Sequence, residues 1–378
     1  MEALTGKDPL NASWQHRLAV AHNHVGVVRK MQGDPTRALA EFRDQLTILA
    51  ALAAKDAGNA SWQRELVIGH DTVGEILGQR GDSAGAVEEL QSAVAIAKNL
   101  TEKAPSNANW QSTLAQVPKS LGEALMRQHD FSGALTEYRS ALESMTKLAA
   151  QDPNNSDWQL QLSWGHNDVG TALANQGDLS GALTEYRAAL QILTQLTAKD
   201  PSNAVWQREV AIVHDNIGMP LSEQGDKDGA LRELRAAVDI LAALVTKDST
   251  NSGWQDDLAT THLKIGVVLQ IRGDLAGAAK EFNEELAIRA QLAAKDPGNV
   301  DWQHELEVGH NRLGGILEDQ RDFSGALDEF RAALAAGEGL ANKDASNLFW
   351  QRELSVSHGR VGDALKDQGD LAGAKKGV

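Results

Sequence analysis

Apolar positions along the chain recur in steps of three and four, and the pattern resets every 48 residues. In the stretch from Trp158 to Val205, the residues Trp158, Leu162, His166, Val169, Gly170 and Leu173 fall on one face of a helix. Gly177 supplies the left-handed stop that a side chain resists, and Asp178 stands where a second helix needs its N-cap. That helix carries Ala182, Leu183, Tyr186, Ala189, Leu190, Leu193 and Leu196 on one stripe, and Asp200-Pro201 ends it after Lys199. Asn155, three residues before Trp158, is placed to cap the first helix, and Asn11, Asn59, Asn107, Asn203, Asn251, Asn299 and Asn347 hold the same place elsewhere. The pattern predicts pairs of antiparallel helices, each of about 20 residues and so about 30 Å long.

Eight tryptophans mark the interval: Trp14, Trp62, Trp110, Trp158, Trp206, Trp254, Trp302 and Trp350, with only Trp164 out of register. A fixed period of this size means one supersecondary unit stacked about eight times, which builds a long surface and no single central cavity. The expected organisation is one array over residues 1–378, its first and last units incomplete. Lys7-Asp8-Pro9 reads as the tail of a preceding unit, and Gly377-Val378 cuts short the helix that Leu371 begins. Gly26, Gly74, Gly122, Gly170, Gly218, Gly266, Gly314 and Gly362 also keep the period. A glycine inside a helix costs up to about 1 kcal/mol against alanine, so close approach of the partner helix must offset it. Pro118 and Pro220 each remove an intrahelical hydrogen bond and are expected to bend or split their helices.

These residues resemble the tetratricopeptide repeat. Its signature of an aromatic, Leu-Gly, an aromatic, then Ala and Phe at fixed spacing reads here as His166, Val169-Gly170, Leu173, Ala182 and Tyr186, with Gln176-Gly177-Asp178 at the turn. Asp322-Phe323-Ser324-Gly325-Ala326-Leu327 repeats that turn, and all eight units match at the glycine and at the alanine opening the second helix. The family's usual ~34 residues have grown to 48 by about two helical turns on each helix, which leaves both stripes on their faces. The unit is similar to long-helix variants in bacterial tandem arrays. The resemblance implies an all-α, right-handed superhelical solenoid of about eight hairpins that serves as a non-catalytic protein-interaction scaffold.

Charge narrows the partner. Lys plus Arg total 36 against 52 for Asp plus Glu, a formal charge of −16. Such a chain is poorly suited to displace counterions from nucleic acid or to dock on an anionic membrane, and a basic or neutral protein or peptide fits better. The absence of cysteine excludes disulfides, thiolate metal sites and a cysteine nucleophile. With no signal-like N-terminus and no apolar run near ~20 residues, the cytoplasm is the expected compartment.

Seven histidines keep the period: His22, His70, His166, His214, His262, His310 and His358. Adjacent repeats sit about 10 Å apart, too far for one metal ion to bridge, so these read as packed, hydrogen-bonded core residues. His16, His24, His129 and His304 lie outside that register without an evident nucleophile. No phosphate-binding loop or nucleophile elbow is present, and neither catalytic residues nor a cofactor or metal is expected.

In the family the first helix of each hairpin lines the concave side. One rung of that line is Asn23, Asp71, Lys119, Asn167, Asp215, Leu263, Asn311 and Gly359, whose short amides and carboxylates suit an extended backbone. A second rung supplies Arg64, Arg208 and Arg352, and Lys264, Arg312 and Arg360 form a basic run beside it. Trp164 is the candidate aromatic anchor. The lysine, asparagine and arginine set with which the family's chaperone adaptors clamp a C-terminal carboxylate is not complete here. The alternative role is a regulatory or oligomerising arm of a larger signalling protein, with end-to-end self-association through uncapped terminal repeats.

Overall fold

The computed structural model describes residues 11–104 and 107–374; Lys7-Asp8-Pro9 and Gly377-Val378 lie outside them. Among the described residues there are helices and turns and no strands. The first helix of each hairpin is α1 (Ala12–Met31), α3 (Ala60–Gln79), α5 (Ala108–Arg127), α7 (Ser156–Asn175), α9 (Ala204–Glu223), α11 (Ser252–Arg272), α13 (Val300–Asp319) and α15 (Leu348–Asp367). The second is α2 (Pro35–Lys55), α4 (Ser83–Lys103), α6 (Phe131–Gln151), α8 (Leu179–Lys199), α10 (Lys227–Lys247), α12 (Leu275–Lys295) and α14 (Phe323–Lys343), with α16 (Leu371–Ala374) opening an eighth. The chain divides into two compact units, Met1–Leu196 and Thr197–Val378.

The caps act as their residue types dictate. Each of the eight asparagines precedes its first helix and accepts from a first-turn amide, as Asn155 does from the Trp158 N–H at 3.1 Å. Asp178 caps α8 by accepting from the Gly181 N–H at 2.9 Å. Between the two helices, the Asp178 N–H reaches back to the Leu173 carbonyl at 2.9 Å, a closure that recurs at every hairpin turn. The residue before that aspartate is left-handed, and Gly177 has φ +84°. His129 and Arg321 occupy the same place in their turns with φ 60° and 64°, conformations that a Cβ makes costly.

Within a hairpin, the helices meet at the periodic glycine. A Cβ on Gly266 would lie 2.4 Å from the Phe282 ring, and one on Gly122 would lie 2.4 Å from Tyr138. The same contact joins Gly26 to Phe42, Gly74 to Leu90, Gly170 to Tyr186, Gly218 to Leu234 and Gly314 to Phe330. Phe42, Phe282 and Phe330 are consequently fully buried, each contributing about 1.5–3 kcal/mol of apolar burial. The phased tryptophans work between repeats: Trp158 packs on Met145 and Leu148 of the preceding α6, and Trp254 on the cluster around Leu241 and Leu244.

Neither proline splits its helix. α5 runs unbroken through Pro118 and α9 through Pro220, so packing along both flanks outweighs the lost hydrogen bond.

Three substitutions test this framework. Gly266→Ala should cost about 1–3 kcal/mol in denaturant unfolding, because the buried Phe282 ring must move. Gly315→Ala, where a Cβ meets nothing within 4 Å, should instead stabilise by up to about 1 kcal/mol. His129→Gly should raise the unfolding midpoint by relieving a left-handed side chain worth about 1 kcal/mol; an unchanged or lower midpoint contradicts the strain.

Candidate interaction surface

The periodic histidines are tied to glutamates of the same hairpin. His Nδ1 and Glu Oε2 lie 2.6–2.7 Å apart in His22–Glu41, His70–Glu89, His166–Glu185, His214–Glu233, His262–Glu281 and His310–Glu329. The pairs are half-buried, so the expected packed core histidine is in fact a bridge between the two helices of its hairpin. The signal was present in the sequence as a glutamate 19 residues after six of the seven periodic histidines, all but His358. In the third repeat Pro118 stands in the histidine's place, and the Glu137 Oε2 is buried without a hydrogen-bond partner. His22, Glu41 and Asp44 bring three potential ligand atoms within 4.8 Å of one another, a grouping inside one hairpin rather than between repeats.

The rung positions connect successive repeats. Lys264 pairs with Asp215, and Arg208 donates to Asp257 from Nε at 2.6 Å and from Nη2 at 3.2 Å. The Lys119 ammonium lies 3.4 Å from Glu123 and 3.7 Å from Asp168. Asn23 instead donates within its own hairpin, to Gln45 at 3.2 Å. These side chains are buried or half-buried, so the rung is in large part an internal seam. Asp71 is held in the same way by a hydrogen bond with Ser120; burial pushes its carboxyl above the ordinary aspartate value, and the charges of Glu75 and Glu123 push it further. Asn311 is half-buried with its Oδ1 unpartnered, and Asn167 is half-buried beside Trp164 on α7.

The basic residues divide similarly. Arg312 donates to both oxygens of the fully buried Glu285 at 2.9 Å and lies 5.7 Å from the Phe282 ring centroid. Burial raises the Glu285 carboxyl, with Arg312 and Arg289 opposing it. Arg289 pairs with Asp256, donates to Thr260 at 3.1 Å and lies 3.8 Å from Glu305. Arg360 lies 5.6 Å from the Phe330 ring, and it is exposed, as are Arg64 and Arg352.

Trp164 is half-buried and does not project outward. It lines a cavity of about 270 Å³ among α5, α6 and α7, with Lys119 5.8 Å from its ring centroid. Tyr138, Met145, Ala141, Glu123 and Asp168 complete the walls. Burial pushes the Tyr138 hydroxyl well above its ordinary value, and the charges of Asp168 and Glu123 push it further, so it stays a neutral phenol. Sequence reasoning reached Trp164 and Lys119 but missed Glu123, Tyr138 and Asp168, which the hairpin geometry brings beside them.

No protein-family model matches the sequence, and no curated protein matches it. Solved structures do match. BtubC from P. vanneervenii aligns at 20% identity over 66% of this chain and 89% of its own, with a TM-score of 0.52. The apo form of RapI aligns at 13% identity over 95% of both chains, with a TM-score of 0.54. A tetratricopeptide repeat protein from Parabacteroides merdae aligns over 90% of this chain and 99% of its own, at 12% identity and a TM-score of 0.44. At these identities the likeness to BtubC and RapI is one of fold alone, here an all-α series of antiparallel helix hairpins. In that frame the cavity lies between the first helices of the third and fourth repeats, on the rung read from the sequence. No helix among the described residues is long and apolar enough to cross a membrane.

Two outcomes follow. Pro118→His should stabilise the chain more than Pro118→Ala by about 0.5–1 kcal/mol, through the restored pair with Glu137, and the difference should vanish with Glu137→Gln. A carboxyl whose pKa is raised on folding contributes stability present below its unfolded value and lost as pH rises through the folded value. Asp71→Asn should therefore stabilise the chain at pH 7, with an advantage that shrinks as pH falls toward the ordinary aspartate value of 3.8; unfolding titrations at several pH values check this.

Proposed function

We propose that the protein is a non-catalytic scaffold that binds a polypeptide along the face formed by the first helices of its hairpins. The cavity lined by Lys119 and Trp164 is the observation that carries this reading. It sits at Lys119 on that rung and offers a side-chain-sized recess between α5 and α7. Asn167 and Asn311, on the same rung, carry amides of the kind that suit a peptide backbone. Arg64 and Arg352 are exposed on the second rung and able to contact carbonyls or carboxylates of the partner. Lys264, Arg208 and Arg312 are engaged within the protein and serve the seam in this reading rather than the partner.

The formal charge of −16 supports a basic or neutral partner. Trp164→Ala combined with Arg64→Glu and Arg352→Glu should weaken binding of a polypeptide retrieved by affinity capture at least tenfold, with an unchanged circular dichroism melt. Undiminished binding, with loss instead on changing exposed second-helix residues such as Arg37, would move the site to the opposite face.

A further inference from the structure

The spacing that keeps a metal ion from bridging two repeats does not apply inside one hairpin. In the first hairpin His22 lies on α1, while Glu41 and Asp44 stand one turn apart on α2. One ligand atom from each of the three lies within 4.8 Å of the other two. His22 Nδ1 and Glu41 Oε2, 2.7 Å apart, form the bridge common to six hairpins, and Asp44 is the addition.

The other hairpins supply an internal comparison. At the place of Asp44 they carry Ser92, Ser140, Ala188, Ala236, Glu284 and Ala332. Among the described residues, only the first hairpin gathers three such groups; neither the bridge alone nor the bridge beside Glu284 does so. Asp44 is exposed, and no basic side chain among the described residues pairs with it. The same hairpin is also pinned beside these groups. Gln45, next to Asp44, is only 4% exposed and accepts from Asn23, next to His22, at 3.2 Å. Five of the six other hairpins hold alanine at the place of Gln45. This buried amide bridge keeps the helix faces that carry His22 and Asp44 in register, as a site of preset geometry requires.

From this geometry we infer that His22, Glu41 and Asp44 form a binding site for a divalent transition-metal ion of the zinc type. The site goes beyond the scaffold reading and does not depend on it. An imidazole nitrogen with carboxylate oxygens is a donor set that zinc accepts, whereas calcium and magnesium take oxygen alone. Two atoms each ~2.0–2.2 Å from one ion stand about 3.3–3.6 Å apart at a tetrahedral angle. The 2.7 Å bridge therefore opens and the Asp44 carboxylate swings in, movements that half-buried and exposed side chains allow. Coordination through Nδ1 leaves the imidazole hydrogen on Nε2, and a proton held in the bridge passes to solvent. Three protein ligands leave a fourth place open, on the side where Asp44 meets solvent. The bound ion ties α1 to α2 and holds the first hairpin closed.

The test titrates zinc chloride into the full chain after chelator treatment, read by calorimetry and by imidazole nitrogen NMR. The His22 signal is assigned by His22→Gln. Wild type should take one zinc with a dissociation constant below about 100 µM, and the His22 Nδ1 signal should shift with it. Asp44→Asn should weaken this binding at least tenfold and, at an exposed position, leave the circular dichroism melt of the metal-free chain unchanged. Ser92→Asp, which gives the His70–Glu89 bridge the missing carboxylate, should add a second equivalent. Binding undiminished in Asp44→Asn, as scattered surface histidines would give, overturns the inference. So does the absence of any saturable equivalent below about 100 µM. A Ser92→Asp chain that still takes one zinc overturns it as well, since the three positions would then not suffice.

Discussion

One steric contact governs the rest of the structure: a bare glycine on the first helix of each hairpin against an aromatic or leucine side chain on the second. Because Gly26, Gly74, Gly122, Gly170, Gly218, Gly266 and Gly314 carry no Cβ, the facing side chain can lie flat on the helix backbone. That brings the two helices close enough for the histidine four residues earlier to reach the glutamate that precedes the facing side chain. It also sets the direction in which each first helix presents its rung to the next repeat. A larger residue at the glycine would displace the apolar contact, the His–Glu bridge and the inter-repeat pairs together.

Charge is distributed in this frame by position more than by amount. Most charged side chains near the rung are consumed by neighbours one repeat away, as Asp215 is by Lys264 and Asp257 by Arg208. Burying such groups costs desolvation, and the raised carboxyls of Asp71 and Glu285 record that cost. The third repeat departs from the register at Pro118, which leaves Glu137 without its histidine, and a recess beside Trp164 lies next to it. Departures from a repeated rule are where a solenoid has room for function, since identical units by themselves distinguish no part of a ligand from another.

Caps, turns and helix lengths were legible in the residues, since asparagine, Gly-Asp and the glycine register state local requirements that the backbone must meet. The His–Glu bridges were legible too in principle, as two registers 19 residues apart, but the question asked of the histidines concerned neighbouring repeats and not the facing helix. The seam was harder to read. Whether Arg312 meets solvent or Glu285 depends on which residue of the next helix lies opposite, and that register comes from packing and not from either helix alone. Trp164 was recognisable as exceptional, whereas the cavity beside it depends on how side chains of three helices meet, which no single helix's sequence states. The left-handed His129 and Arg321 were hidden for a related reason, because the turn keeps its shape through the surrounding closure even where glycine is absent.

The central claim is that the first-helix face around the third and fourth repeats receives the partner. Hydroxyl-radical footprinting of the full chain, with and without its bound polypeptide, tests it most directly. Protection centred on Trp164, with the outer faces of α6 and α8 reacting as before, is the result this account predicts. Protection confined to those outer faces, with Trp164 as reactive as in the unbound chain, would contradict it.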